Sequence, residues 1–365
     1  MKKKKLALKA ARIVEPNKPL EVAELELPEP TENQVIVKVK AVGVCHSDLH
    51  LWEGGYDLGD GSFMKVTDRG VKYPVTPGHE IAGSIAKMGS NVTGFSEGED
   101  VIVYPWIGEG SCPACKEGNE NLCDSPKSLG VFQDGGYADQ VMIPHFKYLI
   151  KLSGLDLESA ASLACSGLTA YTAVKKANVN SPEFLVIIGT GGLGLMGIQI
   201  AKAITKAKVI CVDLDDKKLE TAKKMGADFV VNSNVIGSVT TGSGNAAQKI
   251  ISICNNKGAD SVIDFVNAPQ TAKTGLAALR KRGNLVLVGL FGGSMELSLV
   301  TIPLKAITIQ GAYTGNYKDL VELVELAKKG TIKQVISQRY SLDQANDALE
   351  NLKQRKIIGR AVITP

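Results

Sequence analysis

The most constraining feature of the chain is a glycine-rich turn that joins an apolar strand to a helix. Phe184–Ile188 is a continuous apolar run, the sequence GTGGLG follows it at once, and Leu193–Thr205 has helical spacing. In a GxGxxG turn the first glycine permits the tight turn, the second lets the backbone approach a pyrophosphate, and the third lets helix and strand pack closely. The free N–H groups of the helix N-terminus also favour an anion. The pattern predicts a dinucleotide site at Gly189, Gly191, Gly192, Leu193 and Gly194.

An acidic residue after the next apolar run bears on which dinucleotide is bound. Asp213 ends the run that begins at Lys208 and stands 19 residues after Gly194. A carboxylate there accepts hydrogen bonds from the adenosine ribose 2′-OH and repels a 2′-phosphate, which favours NAD over NADP. Lys217 and Lys218 lie close by and leave the choice of cofactor open. The alternative is that the glycines form an ordinary turn and that Asp213 caps a helix.

Strand-like and helical runs alternate along the second half of the chain, which is typical of βαβ units in a doubly wound parallel sheet. Strands are predicted at Lys208–Val212, Asp228–Val231, Asp260–Val266 and Asn284–Leu290, and helices over Asp216–Met225, before Lys257 and near Thr271–Lys281. The segment Gly237–Asn245, rich in glycine and serine, interrupts the alternation and is interpreted as a surface insertion. Beyond Ala312, a helix over Tyr317–Lys328 and a final strand–helix–strand could complete either of two domains.

The first half of the chain has short alternating runs broken by Gly, Pro and Asp, which favours an antiparallel β domain with long loops. Examples are Val35–Val42, Ile81–Met88 and Asp100–Val103. The stretch from Glu53 to Pro77 is rich in glycine and has little periodicity, and a loop this long is more often functional than idle. Because 365 residues exceed the usual size of one core, we expect two domains.

The seven cysteines are interpreted as free thiols rather than disulfides, because their number is odd and no apolar segment follows the basic start of the chain. Five of them are candidate metal ligands. Cys112, Cys115 and Cys123 lie in one loop, and Glu109 stands three residues before the first of them. Structural zinc is tetrahedral, so three thiolates and one carboxylate can complete such a site. Glu109 alone would be a solvated loop residue. Cys211 and Cys254 lie in apolar stretches and are interpreted as buried core thiols.

A second set of candidate ligands, Cys45, His79 and Cys165, is dispersed along the chain. A zinc ion with Cys₂His ligands and one open position is a known arrangement for alcohol oxidation. Nothing in their spacing joins these three residues. Taken one by one, they would be two buried thiols and a satisfied histidine.

At these residues the chain resembles the zinc-containing alcohol dehydrogenases of the medium-chain dehydrogenase/reductase superfamily, and the archaeal branch in particular. The matching segments occur in family order over nearly the whole chain: GVCHSDLH (43–50), GHEIAG (78–83), GEGSCPACKEGNENLC (108–123), the region around Cys165, GTGGLG (189–194) and IGRAVI (358–363). The resemblance implies a GroES-like β domain with two zinc sites at residues 1–164 and 312–365. It also implies a Rossmann NAD-binding domain at residues 165–311, with the active site in the cleft between them.

The resemblance also assigns roles to particular residues. It implies that Cys45, His79 and Cys165 hold a catalytic zinc, and that Ser47 and His50 form a proton relay. Asp48 would orient a zinc ligand, and Glu80 would be a carboxylate near the metal. His46, Thr169, Lys218 and Arg360 would help to hold the dinucleotide, and Trp106 would line the substrate pocket. Most family members have cysteine where this chain has Glu109.

The composition of the chain limits the kinds of molecule that we expect it to bind. A net charge of +4 without a basic stripe interleaved with aromatic residues gives no support for nucleic-acid binding. No apolar run is long enough to span a bilayer, so we expect a cytoplasmic protein. The resemblance implies a small alcohol or aldehyde substrate and a homo-oligomer, with a tetramer favoured over a dimer.

Other activities remain open on the same scaffold. The alternatives are a semialdehyde reductase, a polyol, sugar or threonine dehydrogenase, or, from another class, a non-catalytic zinc-stabilised binding protein. Zinc-free quinone reductases share the fold, but Cys45, His79 and Cys165 argue against them.

Overall fold

The structure is a computed structural model, and it describes residues 5–179, 182–234 and 244–365. Most of the insertion Gly237–Asn245, and the start of the chain through Lys4, lie outside the described residues. The elements up to residue 165 are β1 (Lys5–Arg12), β2 (Glu21–Pro28), β3 (Val35–Val44), α1 (His46–Glu53), β4 (Gly55–Gly59), β5 (Ser62–Lys65), β6 (Glu80–Met88), β7 (Asp100–Val103), α2 (Pro113–Lys116), β8 (Gln140–Ile143), β9 (Leu149–Lys151) and α3 (Leu157–Ala161).

After residue 165 the chain alternates between helix and strand. The elements are α4 (Ser166–Ala177), β10 (Phe184–Ile188), α5 (Gly192–Ile204), β11 (Lys208–Asp213), α6 (Asp216–Lys224), β12 (Phe229–Asn232), α7 (Gly244–Ile253), β13 (Ala259–Asp264), α8 (Pro269–Ala278), β14 (Leu279–Leu287), α9 (Thr301–Lys305), β15 (Thr308–Gly311), α10 (Tyr317–Lys328), β16 (Ile336–Ser341), α11 (Ala345–Lys353) and β17 (Arg360–Thr364).

Within the described residues, the second half contains a six-stranded parallel sheet in the order β12-β11-β10-β13-β14-β15. Numbered along the chain, this is the order 3-2-1-4-5-6 of the Rossmann fold, as predicted. The central strand β10 is an unbroken apolar run because helices cover both faces of such a sheet. In folds of this kind ligands bind beyond the carboxyl ends of the strands at the switch point, here between β10 and β13. The glycine turn follows β10 at that position.

A seven-stranded sheet in the described part of the chain has the order β16-β17-β3-β6-β7-β9, with β8 also paired to β3. Its pairs are antiparallel apart from β16 and β17 at one edge. Strand β3 buries most of its residues, and Lys38 and Lys40 are exposed on it. The C-terminal strands β16 and β17 therefore extend the sheet of the first half, while α10 packs against α4.

Two sequence predictions were wrong in detail. The helix expected near Thr271–Lys281 ends at Ala278, because Leu279 is already buried in the sheet, where β14 pairs with Ala259 of β13. The strand expected at Asn284–Leu290 is the second part of β14 and ends at Leu287.

The aperiodic stretch from Glu53 to Pro77 contains a β-hairpin rather than loop alone. Strands β4 and β5 pair across Asp60 and Gly61, which both have positive φ, 53° and 76°. Two consecutive residues of that kind form the type I′ turn that Asp-Gly favours. The turn lies against the segment after β14, since Ser294 Oγ is 3.1 Å from Asp60 Oδ1.

Candidate active site

Strand pairing explains how ligands that are distant in sequence come together. Strand β3 pairs antiparallel with both β17 and β6, so the end of β3 lies beside the beginnings of the other two strands. Cys45 follows the last residue of β3, Glu80 opens β6 directly after His79, and Arg360 opens β17. Cys165 reaches the same point as the residue before α4. This geometry brings together residues that the sequence spacing could not join.

The side chains at this point fit a single metal ion. The ligand atoms of Cys45, His79, Glu80 and Cys165 all lie within 4.8 Å of one another, and all four residues are buried. The two sulfur atoms are 3.9 Å apart. Two thiolates bound to one tetrahedral zinc, each at about 2.3 Å, are about 3.8 Å apart. His79 Nε2 is buried without a hydrogen-bond partner among the described residues, as expected of a nitrogen that binds a metal.

Electrostatics prepare this site for a cation. A hydrogen bond from Cys165 lowers the pKa of the Cys45 thiol well below its ordinary value, and the positive charge of Arg360 acts in the same direction. The surroundings of Cys45 therefore favour the ionised form of its thiol. The pKa of Cys165 is raised by that hydrogen bond and by burial. Metal binding would release the proton of the second thiol.

Asp48 holds the backbone of one predicted ligand, Cys45, and lies close to a second, His79. It is fully buried, and its carboxylate accepts hydrogen bonds from the backbone N–H groups of Cys45 (2.9 Å) and Gly78 (3.1 Å) and from Tyr137 Oη (3.3 Å). His79 Nδ1 approaches Asp48 Oδ1 to 3.4 Å in a geometry short of a full hydrogen bond. The contacts support the orienting role that the resemblance implied for Asp48.

Glu80 and Arg360 form a buried ion pair next to the cluster. Arg360 Nη2 donates to Glu80 Oε1, which also accepts the backbone N–H of Ser166 at 3.0 Å. Burial raises the pKa of Glu80 to about 7, although the charge of Arg360 opposes the shift. Strand β3 leaves room for this carboxylate only because it has glycine opposite, since a Cβ on Gly43 would lie 1.9 Å from Glu80 Oε2.

Trp106, which the resemblance implies for the substrate pocket, lies close to the candidate ligand His79. Its ring is 5.2 Å from that of His79, and its indole N–H donates to the carbonyl of Ala164, the residue before Cys165. On its other side the ring of Tyr313 meets it edge-on at 6.2 Å. Tyr313 belongs to the segment after β15, so both halves of the chain contribute to this wall.

The residues predicted for proton transfer lie on α1. Ser47 Oγ is 3.9 Å from Cys45 Sγ, and His50 follows three positions later on the same face of the helix. Burial lowers the pKa of His50, whose ring lies 4.7 Å from that of Tyr56. His46 is exposed to solvent, yet the surrounding protein lowers the pKa of its ring to about 4 by desolvation. The positive charges of Arg360 and Lys218 lower this pKa further, while Cys45 opposes the shift.

The glycine turn has the geometry that its sequence predicts. Gly189 has a φ of 88°, and a Cβ on Gly194 would lie only 1.9 Å from the carbonyl oxygen of Gly189. No described atom lies within 4 Å of the Cβ position of Gly191, so space is open beside the helix N-terminus. A Cβ on Gly192 would lie 2.9 Å from the carbonyl oxygen of Gly359 and 3.1 Å from Cδ of Arg360. The turn thus lies against the residue that pairs with Glu80.

Asp213 lies at the end of β11 and holds the turn. Its Oδ2 accepts hydrogen bonds from the N–H (2.7 Å) and the hydroxyl (2.8 Å) of Thr190, while Oδ1 accepts the N–H of Leu214 (2.7 Å). Lys218 is half-buried in the first turns of α6, and Thr169 is buried in α4, just after Cys165. Leu193 is half-buried at the start of α5.

The loop cluster forms a second group of metal-type ligands in the described part of the chain. The ligand atoms of Glu109, Cys112, Cys115 and Cys123 lie within 4.8 Å of one another, and the sulfurs of Cys112 and Cys123 are 3.7 Å apart. These distances fit a tetrahedral zinc as well as those of the first cluster do. A Cβ on Gly108 would lie 2.4 Å from Cys115 Sγ, so glycine is required beside it.

Hydrogen bonds from the backbone favour the ionised forms of two candidate ligands in this loop, Cys123 and Glu109. Although burial opposes the shift, the N–H groups of Glu109 and Ser125 lower the pKa of Cys123. The Glu109 carboxylate accepts the hydroxyl (2.6 Å) and the N–H (2.8 Å) of Ser111 and also the N–H of Cys112, and these hydrogen bonds lower its pKa to about 2. The Glu109 carboxylate is therefore ionised at neutral pH and can offer an oxygen atom as a metal ligand.

Some functional contacts were missed from the sequence. Tyr137 and the N–H of Ser166 hold the carboxylates of Asp48 and Glu80, yet neither lies in a motif. Glu120 accepts the N–H of Gly108 and the hydroxyl of Tyr148, and so ties the cysteine loop to β9. These are pairings between distant positions, and no local pattern predicts them.

Comparison with known protein families identifies both parts of the chain. Residues 31–154 match the model of the alcohol dehydrogenase GroES-like domain, and residues 192–329 match that of the zinc-binding dehydrogenase. Two relatives are 43% identical to the chain over 359 residues, which is 98% of this chain and 100% of theirs. They are the NAD-dependent alcohol dehydrogenases of Sulfurisphaera tokodaii and Saccharolobus solfataricus.

A solved structure has the same fold as this chain over nearly its whole length. The alcohol dehydrogenase of the hyperthermophilic archaeon Aeropyrum pernix is 33% identical and superimposes with a TM-score of 0.87, covering 98% of this chain and 100% of that one. Both halves of the chain therefore have the expected fold. The chain belongs to the zinc-containing alcohol dehydrogenases of the medium-chain dehydrogenase/reductase superfamily, a family that includes these archaeal enzymes.

Proposed function

We propose that the chain transfers a hydride between a small primary or secondary alcohol, or its aldehyde or ketone, and NAD, in a reaction that depends on zinc. The observation that carries this proposal is the convergence of Cys45, His79 and Cys165 near the glycine turn. Arg360 connects the two places, because it pairs with Glu80 beside the ligands and lies next to Gly192 of the turn. The names of the archaeal relatives support NAD and an alcohol substrate.

The ligand set suits this chemistry. Zinc at Cys45, His79 and Cys165 would supply a Lewis acid for the alcohol oxygen, and NAD would supply the hydride acceptor. The two thiolates provide negative charge that balances a divalent cation, while Asp48 holds the backbone of Cys45 and approaches His79. Glu80 remains close enough to the cluster to approach a metal when Arg360 releases it.

Ser47 and His50 are our candidates for the proton path. Ser47 lies beside a metal-ligand sulfur, where its hydroxyl can accept the proton that an alcohol loses. His50 stands one helical turn further along α1, and its lowered pKa keeps the imidazole neutral at pH 7 and able to take up a proton. Ser47 would take up the proton and His50 would pass it on towards solvent.

The proposed cofactor site combines the glycine turn with side chains from both halves of the chain. The pyrophosphate would lie in the open space at Gly191, with backbone N–H groups of Gly192, Leu193 and Gly194 near it. Asp213 would bind the adenosine ribose. Four further side chains would hold other parts of the dinucleotide: His46, Thr169, Lys218 and Arg360.

A second zinc ion is proposed at Glu109, Cys112, Cys115 and Cys123, where it would be structural because four protein ligands leave no open position. Both sites need thiolates, and thiols stay reduced in the cytoplasm, which supports a cytoplasmic location. None of the helices in the described part of the chain is long and apolar enough to cross a membrane.

We further propose a homo-oligomer, with a tetramer favoured. The segment around α9 exposes Leu299 (78%), Val300 (61%) and Leu304 (70%) beside β15, the edge strand of the six-stranded sheet. An apolar patch next to an unpaired strand edge is suited to a second copy of the same surface. We also propose the division into domains at 1–164 with 312–365 and at 165–311, which the extent of the two sheets supports.

One experiment tests the function and its alternatives together. Zinc is counted in the purified protein, and NADH absorbance is followed over short alcohols, aldehydes, semialdehydes and sugars with both NAD and NADP. We expect two zinc ions per chain and turnover of short alcohols with NAD. A protein with bound zinc and no turnover of any substrate would instead be a binding protein, and preference for a semialdehyde or a sugar would reassign the substrate class.

A further inference from the structure

The loop that carries Glu109, Cys112, Cys115 and Cys123 contacts the other half of the chain at residues 313–316. Asn121 Nδ2 donates to the carbonyl of Tyr313 at 2.9 Å, and Asn316 Nδ2 donates to Asn119 Oδ1 at 3.2 Å. Residues 313–316 directly follow β15 and its neighbour Ala312. The loop around the proposed second zinc is thus attached to the segment that directly follows the last strand of the six-stranded sheet.

This segment is held in a strained conformation. Thr314 has a φ of 48°, which costs a β-branched residue roughly 1–2 kcal/mol. The next carbonyl, that of Gly315, accepts a hydrogen bond from the buried hydroxyl of Tyr104 at 2.9 Å. A Cβ on Gly315 would lie 2.4 Å from Thr172 Oγ1, so the backbone is packed closely on α4 as well. Such strain persists only where surrounding contacts impose it, and it is common at functional sites.

The side chain presented by this segment reaches the active site. The Tyr313 ring meets Trp106 at 6.2 Å, and Trp106 lies 5.2 Å from His79. Burial raises the pKa of Tyr56 and nearby Tyr313 acts in the same direction, and the Tyr56 ring lies 4.7 Å from that of His50 in a tilted arrangement. Tyr313 is 40% exposed, so its position depends on its backbone rather than on burial of its ring.

We propose that Asn121 is a positioning residue, which sets the place of Tyr313 in the wall of the substrate pocket and thereby links the cysteine loop to substrate selection. This inference rests on the proposed dehydrogenase function for its kinetic consequence. The effect should fall on substrates large enough to touch Tyr313 and spare the smallest ones.

The test compares two isosteric variants of the same loop in the zinc-loaded protein. Asn121→Asp replaces the donor to the Tyr313 carbonyl by an acceptor of the same shape. Asn119→Asp adds the same charge two residues away but keeps an acceptor for Asn316. We expect Asn121→Asp to raise KM for benzyl alcohol about fivefold, which corresponds to about 1 kcal/mol, an ordinary hydrogen bond. Ethanol KM and both kcat values should change less than about twofold, and Asn119→Asp should change neither KM.

A spectroscopic readout does not depend on turnover. The chain has two tryptophans, so Trp52→Phe leaves Trp106 as the sole reporter. In that background Asn121→Asp should increase acrylamide quenching of Trp106, and Asn119→Asp should leave it unchanged. Equal quenching in both variants, or an equal KM increase for ethanol and benzyl alcohol, would overturn the proposal.

Tyr313→Ala serves as the second variant if Asn121→Asp unfolds at a lower temperature than its control. It should reproduce the benzyl alcohol effect and the increased quenching, and a Tyr313→Ala protein with parental values would overturn the proposal. If the parent oxidises no alcohol, the proposed function fails, while the quenching comparison still decides the role of Asn121.

Discussion

The roles of the second and third glycines of the GxGxxG turn can be separated by adding one methyl group at a time. Gly191 has extended backbone, with φ −75° and ψ −158°, and no described atom lies within 4 Å of its Cβ position. Alanine fits that backbone, so Gly191→Ala should stabilise the cofactor-free protein by about 0.4–1 kcal/mol through the unfolded state. The added methyl would occupy the space proposed for the pyrophosphate.

Gly194→Ala is the matched variant. Its Cβ would lie 1.9 Å from the oxygen and 2.9 Å from the carbon of the Gly189 carbonyl, which are backbone atoms that cannot turn away. Forcing the helix off the strand should cost about 1–3 kcal/mol or more, as other overpacked sites do. We therefore expect this variant to lose stability even without cofactor.

The assays are thermal unfolding without ligand and titration of NADH by its fluorescence. Gly191→Ala should raise Tm by about 1–3 °C. It should also weaken NADH binding by about ten- to a hundredfold, because hydrogen bonds to a charged group contribute about 1.5–3 kcal/mol. Gly194→Ala should lower Tm by about 3–10 °C. If Gly191→Ala left NADH binding unchanged, the pyrophosphate would not lie where we propose.

Three further outcomes follow from the site. Arg360→Met should lower the free energy of unfolding by about 3–5 kcal/mol in urea titrations, because it leaves the buried carboxyl of Glu80 without its partner. The double variant with Glu80→Gln should recover part of this loss. An Arg360→Met protein as stable as the parent would argue against the ion pair. Asp213→Ala should lower the ratio of the NADP dissociation constant to the NAD dissociation constant. An unchanged ratio would argue against the proposed contact between Asp213 and the adenosine ribose. Because burial lowers the pKa of His50, the folded state binds its proton less readily than the unfolded state. The contribution of His50 to stability is therefore complete above its unfolded pKa of about 6.5 and is lost as pH falls through its folded pKa. His50→Gln should make the free energy of unfolding less dependent on pH in this range. An unchanged pH dependence would contradict the lowered pKa of His50.

Local sequence patterns were sufficient to predict the fold of the second half of the chain, which contains the glycine turn. The glycine turn, its strand and its helix are contiguous, so the period of apolar residues and the three glycines specify both structure and purpose. The hairpin at Asp60 and Gly61 was also available from the sequence, since Asp-Gly is a strong hairpin signal, but the poor alternation of its strands hid it. Helix α8 was extended too far because a buried strand start at Leu279 does not differ locally from a helical leucine.

The metal cluster could not be derived from local patterns. Cys45, His79 and Cys165 meet because β3 pairs with β6 and β17 and because α4 begins beside them, and none of those pairings is visible in spacing. Only the resemblance to a family joined them in advance. The ion pair of Glu80 with Arg360, 280 positions apart, is a further consequence of the same sheet.

The most direct test of the central claim is to count zinc and measure NAD-linked alcohol oxidation in the same samples of the parent chain and of Cys45→Ser. We predict two zinc ions and turnover in the parent, and one zinc ion, retained NADH binding and no turnover in the variant. Full turnover by a Cys45→Ser protein that has lost a zinc ion would contradict a catalytic zinc at Cys45, His79 and Cys165.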